Sequence, residues 1–232
     1  MTALVLSGSI GSTTEMWEPQ LSVLAGFDVV AVDHPGHGVG PVHTGPTALA
    51  DLGRNVLAAL DERRIERANL CGLSLGGAVC MWVAANAPER VARLVLACTR
   101  ASFGDPTGWD ERAATVRARG MEAIVETVID RWFTPAFTAR ERWRAMMASI
   151  DPEGYARCCE VLAGTDLRED VRRVEAPTLV LTGAADATIS AEETELLVSR
   201  IPGARHVELP GAHLPNIEHP DAFDDALVFF LG

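Results

Sequence analysis

Short apolar runs alternate with longer helical patterns from one end of this 232-residue chain to the other. The runs at 4–7, 28–33, 68–71, 94–98, 178–182 and 206–209 are rich in Val and Leu, and several are apolar on both faces. Strands buried on both faces belong to a parallel sheet, because each crossover connection lays a helix over the strands it joins. Helical patterns occupy 47–62, 75–87, 191–200 and 221–231. The predicted class is α/β, with a mostly parallel sheet and helices on both of its faces.

The alternation breaks once. Residues 101–173 hold no strand candidate but four amphipathic stretches, 109–119, 121–132, 139–149 and 154–162, punctuated by Gly120, Pro135 and Pro152. An all-helical insertion between two strands is expected to form a cap, so 1–100 and 174–232 make the core domain and 101–173 the cap. There is no internal repeat and no low-complexity tract.

Composition narrows the chemistry. With 48% hydrophobic residues, a chain of this length buries a full core without disulfides or a structural metal. A net charge of −12 repels phosphate backbones, so no nucleic-acid partner is expected. All 20 basic residues are Arg. Without lysine there is no Schiff base, no lysine-bound pyridoxal phosphate and no phosphate-loop Lys. The start of the chain lacks a basic region ahead of its short apolar run, and no stretch approaches the ~18 apolar residues of a membrane helix. Five cysteines (71, 80, 98, 158 and 159) form an odd set without C-x-x-C spacing, as expected of buried free thiols in a reducing cytoplasm.

The sharpest local signal is Gly72-Leu73-Ser74-Leu75-Gly76-Gly77, between a predicted strand and a predicted helix. Random placement of this chain's serines and glycines would yield about 0.07 Gly-x-Ser-x-Gly matches, so the motif is moderately specific alone. A serine on so tight a turn needs flanking glycines, and its hydroxyl projects from the carboxyl edge of the sheet. It becomes a nucleophile when a histidine takes its proton and an acid orients that histidine. Downstream, the run 178–182 leads into Gly183-Ala184-Ala185-Asp186, and 206–209 is followed by Pro210-Gly211-Ala212-His213. Ser74, Asp186 and His213 therefore all fall in loops at one sheet edge, where ligands bind in such folds.

Other assignments are weaker. His206 opens a strand, His219 precedes a proline at a helix start, and Asp105 is the best alternative acid. Two N–H donors are required for an oxyanion. Leu75 follows the serine, and Ile10 sits in the glycine-rich loop Ser7-Gly8-Ser9-Ile10-Gly11-Ser12. His34 and His37, in Asp33-His34-Pro35-Gly36-His37-Gly38, lack a third ligand at a familiar spacing, so a structural turn is expected, with His37 available to the pocket wall. Neither a metal nor an organic cofactor is predicted.

These residues carry a resemblance to the α/β-hydrolase superfamily over nearly the whole chain and, within it, to the 3-oxoadipate enol-lactonases. The subfamily likeness rests on Leu6 through Ser12 with Glu15-Met16-Trp17-Glu18-Pro19-Gln20, and on Ala87-Pro88-Glu89-Arg90. Further likeness comes from Gly120-Met121 through Arg131-Trp132-Phe133-Thr134-Pro135, from Pro152-Glu153-Gly154-Tyr155, and from Ala212-His213-Leu214-Pro215-Asn216. The resemblance implies an α/β-hydrolase fold and a small-molecule substrate, a carboxylate-bearing lactone or ester opened by water. In the matching cap segment it points to Arg131 as the carboxylate's partner and Trp132 as an apolar wall, since Arg offers a carboxylate two parallel hydrogen bonds. The lactonases often carry Arg where Pro35 stands, whereas many other esterases of the superfamily carry Pro. A general carboxylesterase or cofactor-free haloperoxidase-like hydrolase is therefore the alternative, and a non-catalytic binding protein a third. Family members usually begin about two strands earlier, so one sheet edge is expected to be uncovered.

Overall fold

A computed structural model describes residues 1–42 and 47–232. Six strands form one sheet: β1 (Thr2–Ser7), β2 (Phe27–Val32), β3 (Ala68–Leu73), β4 (Val91–Ala97), β5 (Thr178–Gly183) and β6 (Arg205–Leu209). All pairings are parallel and the order is β2-β1-β3-β4-β5-β6. The chain order reverses at β1, so the loops leaving β1 and β3 open a crevice at the carboxyl edge, where this architecture binds ligands. Strands β3 and β5 are buried at every residue, which is why they read as continuous apolar runs rather than alternating ones. Leu4, Leu6, Leu70 and Leu73 are fully buried, each stabilising the fold by roughly 2 kcal/mol relative to exposure. The uncovered edges are β2, largely half-exposed, and β6, exposed at four of its five residues.

Helices α1 (Leu49–Glu62), α2 (Leu75–Asn86), α7 (Ala191–Arg200), α8 (Pro215–Glu218) and α9 (Pro220–Leu231) complete the core. On α1 the buried Leu49, Leu52, Val56 and Leu60 recur every three or four residues, one stripe on one face. Ten of the 12 residues of α2 are buried, so this helix has no polar face to show and lies in the middle of the molecule.

Between β4 and β5 the chain forms α3 (Pro106–Arg119), α4 (Val125–Trp132), α5 (Glu141–Ala148) and α6 (Pro152–Ala163). Two start earlier than their apolar patterns suggest, and for one reason. Asp105 and Asp151 cap α3 and α6 through Thr107 N–H (3.1 Å) and Gly154 N–H (2.8 Å), each with proline as the next residue. The single helix expected over 121–132 is a 3₁₀ turn, Met121–Ala123, followed by α4. The backbone leaves helical geometry at Ile124 (φ −126°, ψ −11°) while the buried stripe runs on through Val125, Val128, Ile129 and Trp132.

The insertion is tied to the core by backbone bonds, Asp151 N–H to Gly36 O (3.0 Å) and Leu214 N–H to Trp132 O (3.1 Å), and its two ends are tied to each other by Leu167 N–H to Ala101 O (2.7 Å). Arg142 also pairs with Glu18 at 2.6 Å, but both are half-exposed and such a pair adds little. All five cysteines are free and buried. Among the described residues no helix is long and apolar enough to cross a membrane.

Candidate active site

At the end of β3, Ser74 takes φ 58° and ψ −114°, a left-handed backbone that costs a non-glycine residue energy and must be held by its surroundings. Three bonds hold it. Ser74 N–H donates to Ala97 O (2.9 Å), Thr99 Oγ1 donates to Ser74 O (2.7 Å), and Gly76 N–H donates to Gly8 O (2.9 Å), stitching the turn to the loop after β1. Glycine is required at 76, where a Cβ would run into the Ser7 carbonyl oxygen. Ser74 thus sits at the N-terminus of α2, whose free N–H groups favour negative charge.

On the far side of the sheet reversal, Asp186 follows β5 and His213 precedes α8. His213 Nδ1–H donates to Asp186 Oδ2 at 2.7 Å, with both groups buried. The other carboxylate oxygen, Oδ1, accepts from Thr188 N–H (2.8 Å) and Thr188 Oγ1–H (2.6 Å), and Thr188 Oγ1 also lies 3.0 Å from His213 Nδ1. Burial would raise the Asp186 carboxyl; the facing imidazole and the Thr188 donors outweigh it and hold the group below its ordinary value. Asp186 is therefore ionised, and His213 Nε2 is left free to accept a proton. Ser74 and His213 line the same cavity. No direct Ser74–His213 hydrogen bond is formed among the described residues, a looseness common before substrate binds.

The loop Ser7–Ser12 is braced from both sides of Ile10. His34 Nε2–H donates to Gly8 O at 2.9 Å, and His37 Nε2 accepts from Gly11 N–H at 3.0 Å, which places the His37 proton on Nδ1, donating to Pro35 O (3.0 Å). Burial lowers both histidines, His37 to about 3, where the neighbouring His34 adds to the effect. The structural turn expected at 33–38 is what forms, and within it His37 is a neutral strut rather than a group at the pocket wall. The N–H groups of Ile10 and Leu75 have no acceptor among the described residues, so both are free to bind an anion.

The competing candidates have other partners. Asp105 caps α3 on the surface, exposed His206 contacts Thr182 at 2.8 Å, and exposed His219 stands before α9. Cys98, Asp186 and His213 bring their donor atoms within 4.8 Å of one another. Burial, then the Asp186 charge, pushes the Cys98 thiol up, so it stays protonated beside an acid–base pair that is already hydrogen-bonded. This is proton-transfer chemistry rather than a metal-ligand set.

The cavity lies between core and insertion, lined by Ser74, Ile10 and His213 on one side and by Arg112, Arg131, Trp132 and Tyr155 on the other. Trp132 is buried and forms a wall. Arg131 reaches the cavity but stands exposed at its rim, whereas Arg112, overlooked in the sequence, is half-buried. Thr188 and Tyr155 were also overlooked. Thr188 follows Asp186 by two residues, the spacing of a side-chain turn that would have flagged it; Tyr155 is the chain's single tyrosine.

The model of the alpha/beta hydrolase fold family matches residues 2–220. The chain belongs to the α/β-hydrolase family. Among curated relatives, 3-oxoadipate enol-lactonase 2 of Acinetobacter baylyi is 35% identical over 97% of this chain and 86% of its own. Among solved structures, the enol-lactonase of Burkholderia xenovorans superposes with a TM-score of 0.96 at 38% identity, covering 99% of this chain and 91% of that one. A hydrolase of Pseudomonas aeruginosa gives 0.95 at 44% identity, covering 100% and 90%. This α/β-hydrolase is therefore an enzyme of the carboxylic ester hydrolase type, similar to the 3-oxoadipate enol-lactonases.

Proposed function

We propose that this hydrolase opens the lactone ring of β-ketoadipate enol-lactone to give 3-oxoadipate, through an acyl-enzyme on Ser74. The observation that carries the reading is a cavity with a serine and a carboxylate-oriented histidine at one side and guanidinium groups at the other. A lactone acid needs both. Enol-lactonases among the relatives support the same substrate class.

In this reading Ser74 Oγ attacks the lactone carbonyl while His213 Nε2 takes its proton, and Asp186 stabilises the imidazolium. The N–H groups of Ile10 and Leu75 hold the oxyanion. Collapse expels the enolate, which takes the proton held on His213 Nε2 and tautomerises to the ketone, leaving His213 neutral. Water activated by His213 then attacks the acyl-enzyme and releases the acid. An enol is a better leaving group than an alkoxide, so the demand on the site shifts towards holding the substrate. The guanidinium groups on the far side of the cavity, Arg131 among them, draw in the free carboxylate, and Trp132 packs against the ring, with 101–173 acting as the cap.

Steady-state hydrolysis of the enol-lactone, measured beside p-nitrophenyl acetate and the Ser74→Ala variant, tests this. Efficient lactone opening that falls by a factor of about 10⁴ or more in the variant is expected. Hydrolysis confined to the neutral aryl ester would overturn the substrate and leave a general carboxylesterase, the alternative to which Pro35 points. A lactonase rate unchanged in Ser74→Ala would overturn the acyl-enzyme.

A further inference from the structure

We propose that Arg112 and Tyr155 form the principal carboxylate site of the cavity, with Arg131 as an outer contact at its rim. This assignment rests on the reading above and names the part of the site that selects an acidic substrate.

Three guanidinium groups line the cavity: Arg100, Arg112 and Arg131. They are not equivalent. Arg100 is neutralised by Glu193 at 2.6 Å and lies over the Phe103 ring. Neither Arg112 nor Arg131 has an acid within 4.0 Å among the described residues, although 20 arginines share the chain with 32 acidic side chains. Nearby, Arg117 on the same helix takes up Glu153 and Glu160, at 2.8 and 2.6 Å. Arg112 therefore faces the cavity with its charge unmet. The two free guanidinium groups also feel one another: Arg131 is exposed as a whole residue, but partial burial of its guanidinium and then the charge of Arg112 make it less basic than usual. An anion between them would relieve that repulsion and replace lost hydration.

Arg112 is held in place. Its guanidinium lies 4.7 Å from the ring centre of Trp109, one helical turn earlier on α3, and Trp109 Nε1–H is fixed to Phe103 O at 3.0 Å. A stacked guanidinium keeps its edge free for the two parallel hydrogen bonds that a carboxylate accepts.

Tyr155 is the independent observation. Its side chain is fully buried in the cavity wall, and its hydroxyl makes no hydrogen bond of normal geometry, the Arg112 guanidinium being the polar group that faces it. A buried hydroxyl without a well-formed hydrogen bond is unfavourable unless a ligand supplies one. The ring cannot turn away, because it stacks on His37 (centroids 6.3 Å apart) and packs against Gly11, where even an added Cβ would come within 3.2 Å. Burial raises the phenol and the Arg112 charge opposes it; the net is upward, so Tyr155 stays protonated and can donate. Two guanidinium N–H bonds and one phenol O–H bond would satisfy most of a carboxylate's lone pairs. The remaining reach of the cavity runs to Ser74.

The test compares Arg112→Met, Tyr155→Phe and Arg131→Met. The first reading is the ratio of kcat/KM on the enol-lactone to that on p-nitrophenyl acetate; the second is competitive inhibition of aryl-ester hydrolysis by glutarate. The ratio is expected to fall about 30-fold or more in Arg112→Met, about tenfold in Tyr155→Phe and only about threefold in Arg131→Met, with glutarate inhibition weakening in the same order. Tyr155→Phe removes one oxygen and keeps the ring, so it tests the site even where Arg112→Met folds poorly. A ratio and a glutarate Ki within about twofold of the parent in Arg112→Met or Tyr155→Phe would overturn the assignment. So would a larger effect from Arg131→Met than from Arg112→Met. If the parent ignores the lactone but its aryl-ester hydrolysis is inhibited by glutarate in an Arg112-dependent way, the carboxylate site stands and the lactone reading falls.

Discussion

The buried histidine struts make the stability of this enzyme pH-dependent in a range where few carboxylates titrate. His37 keeps a value of about 3 in the folded chain, against an ordinary 6.5 when unfolded. Below pH 6.5 the unfolded state therefore binds a proton that the folded state refuses, and stability falls as pH falls. The contribution is fully present above 6.5 and is lost progressively as pH drops towards the folded value. For one such histidine the loss is about 1.4 kcal/mol per pH unit well below 6.5, or about 2 kcal/mol between pH 7.5 and 5. His34 acts in the same direction, lowered mainly by burial against the opposing pull of the Gly8 carbonyl and Asp33. Replacing His37 by Gln keeps an acceptor for Gly11 N–H and removes the titration. Urea unfolding followed by tryptophan fluorescence between pH 5 and 7.5 should show a slope for His37→Gln shallower than the parent's by about one proton, with most of kcat retained. His37→Leu should instead lose kcat, because it leaves Gly11 N–H unpaired at about 1–3 kcal/mol and frees the loop that carries Ile10. Parallel pH–stability lines for the parent and His37→Gln would refute the reasoning.

Two further perturbations probe the parts that hold the reacting groups. Thr188→Val removes the hydroxyl bonded to Asp186 Oδ1 at 2.6 Å and spares the backbone N–H; kcat/KM should fall about tenfold, and an unchanged value would mean that Thr188 adds nothing to the acid–base pair. Gly76→Ala forces a Cβ against the Ser7 carbonyl; overpacking of about 1–3 kcal/mol should lower Tm by several degrees, and a melting curve superimposable on the parent's would show that the turn has room to give.

How much of this was legible in the sequence depended on whether a feature is local or made by distant parts of the chain meeting. The inner strands were visible because a doubly covered parallel strand writes its burial on every residue, as 68–73 and 178–183 do, and the edge strands by their β-branched content and their place in the alternation. Ser74, Asp186 and His213 were visible because each stands just past a strand's carboxyl end, and the sheet brings those ends together. Helix starts were misplaced where the signal had two readings. Asp105 reads equally well as an acid at a strand end and as a cap before Pro106, and only the Thr107 N–H at 3.1 Å decides it.

Arginine was the least legible residue of all. Arg112 and Arg117 lie on one helix in similar company, and nothing in α3 alone says which will face a cavity. The outcome is set by α6, which supplies Glu153 and Glu160 to Arg117 and presents Tyr155 in the wall that Arg112 shares. The matching segment drew attention to Arg131, which does reach the cavity, but a charged residue's work depends on what fails to neutralise it. Absence of a partner is a property of the packed structure, written nowhere in the chain around the residue. For the same reason the carboxylate site is more exposed to change than the triad. Substituting both Glu153 and Glu160 would free Arg117 and redistribute charge along α3 without altering one residue that touches substrate.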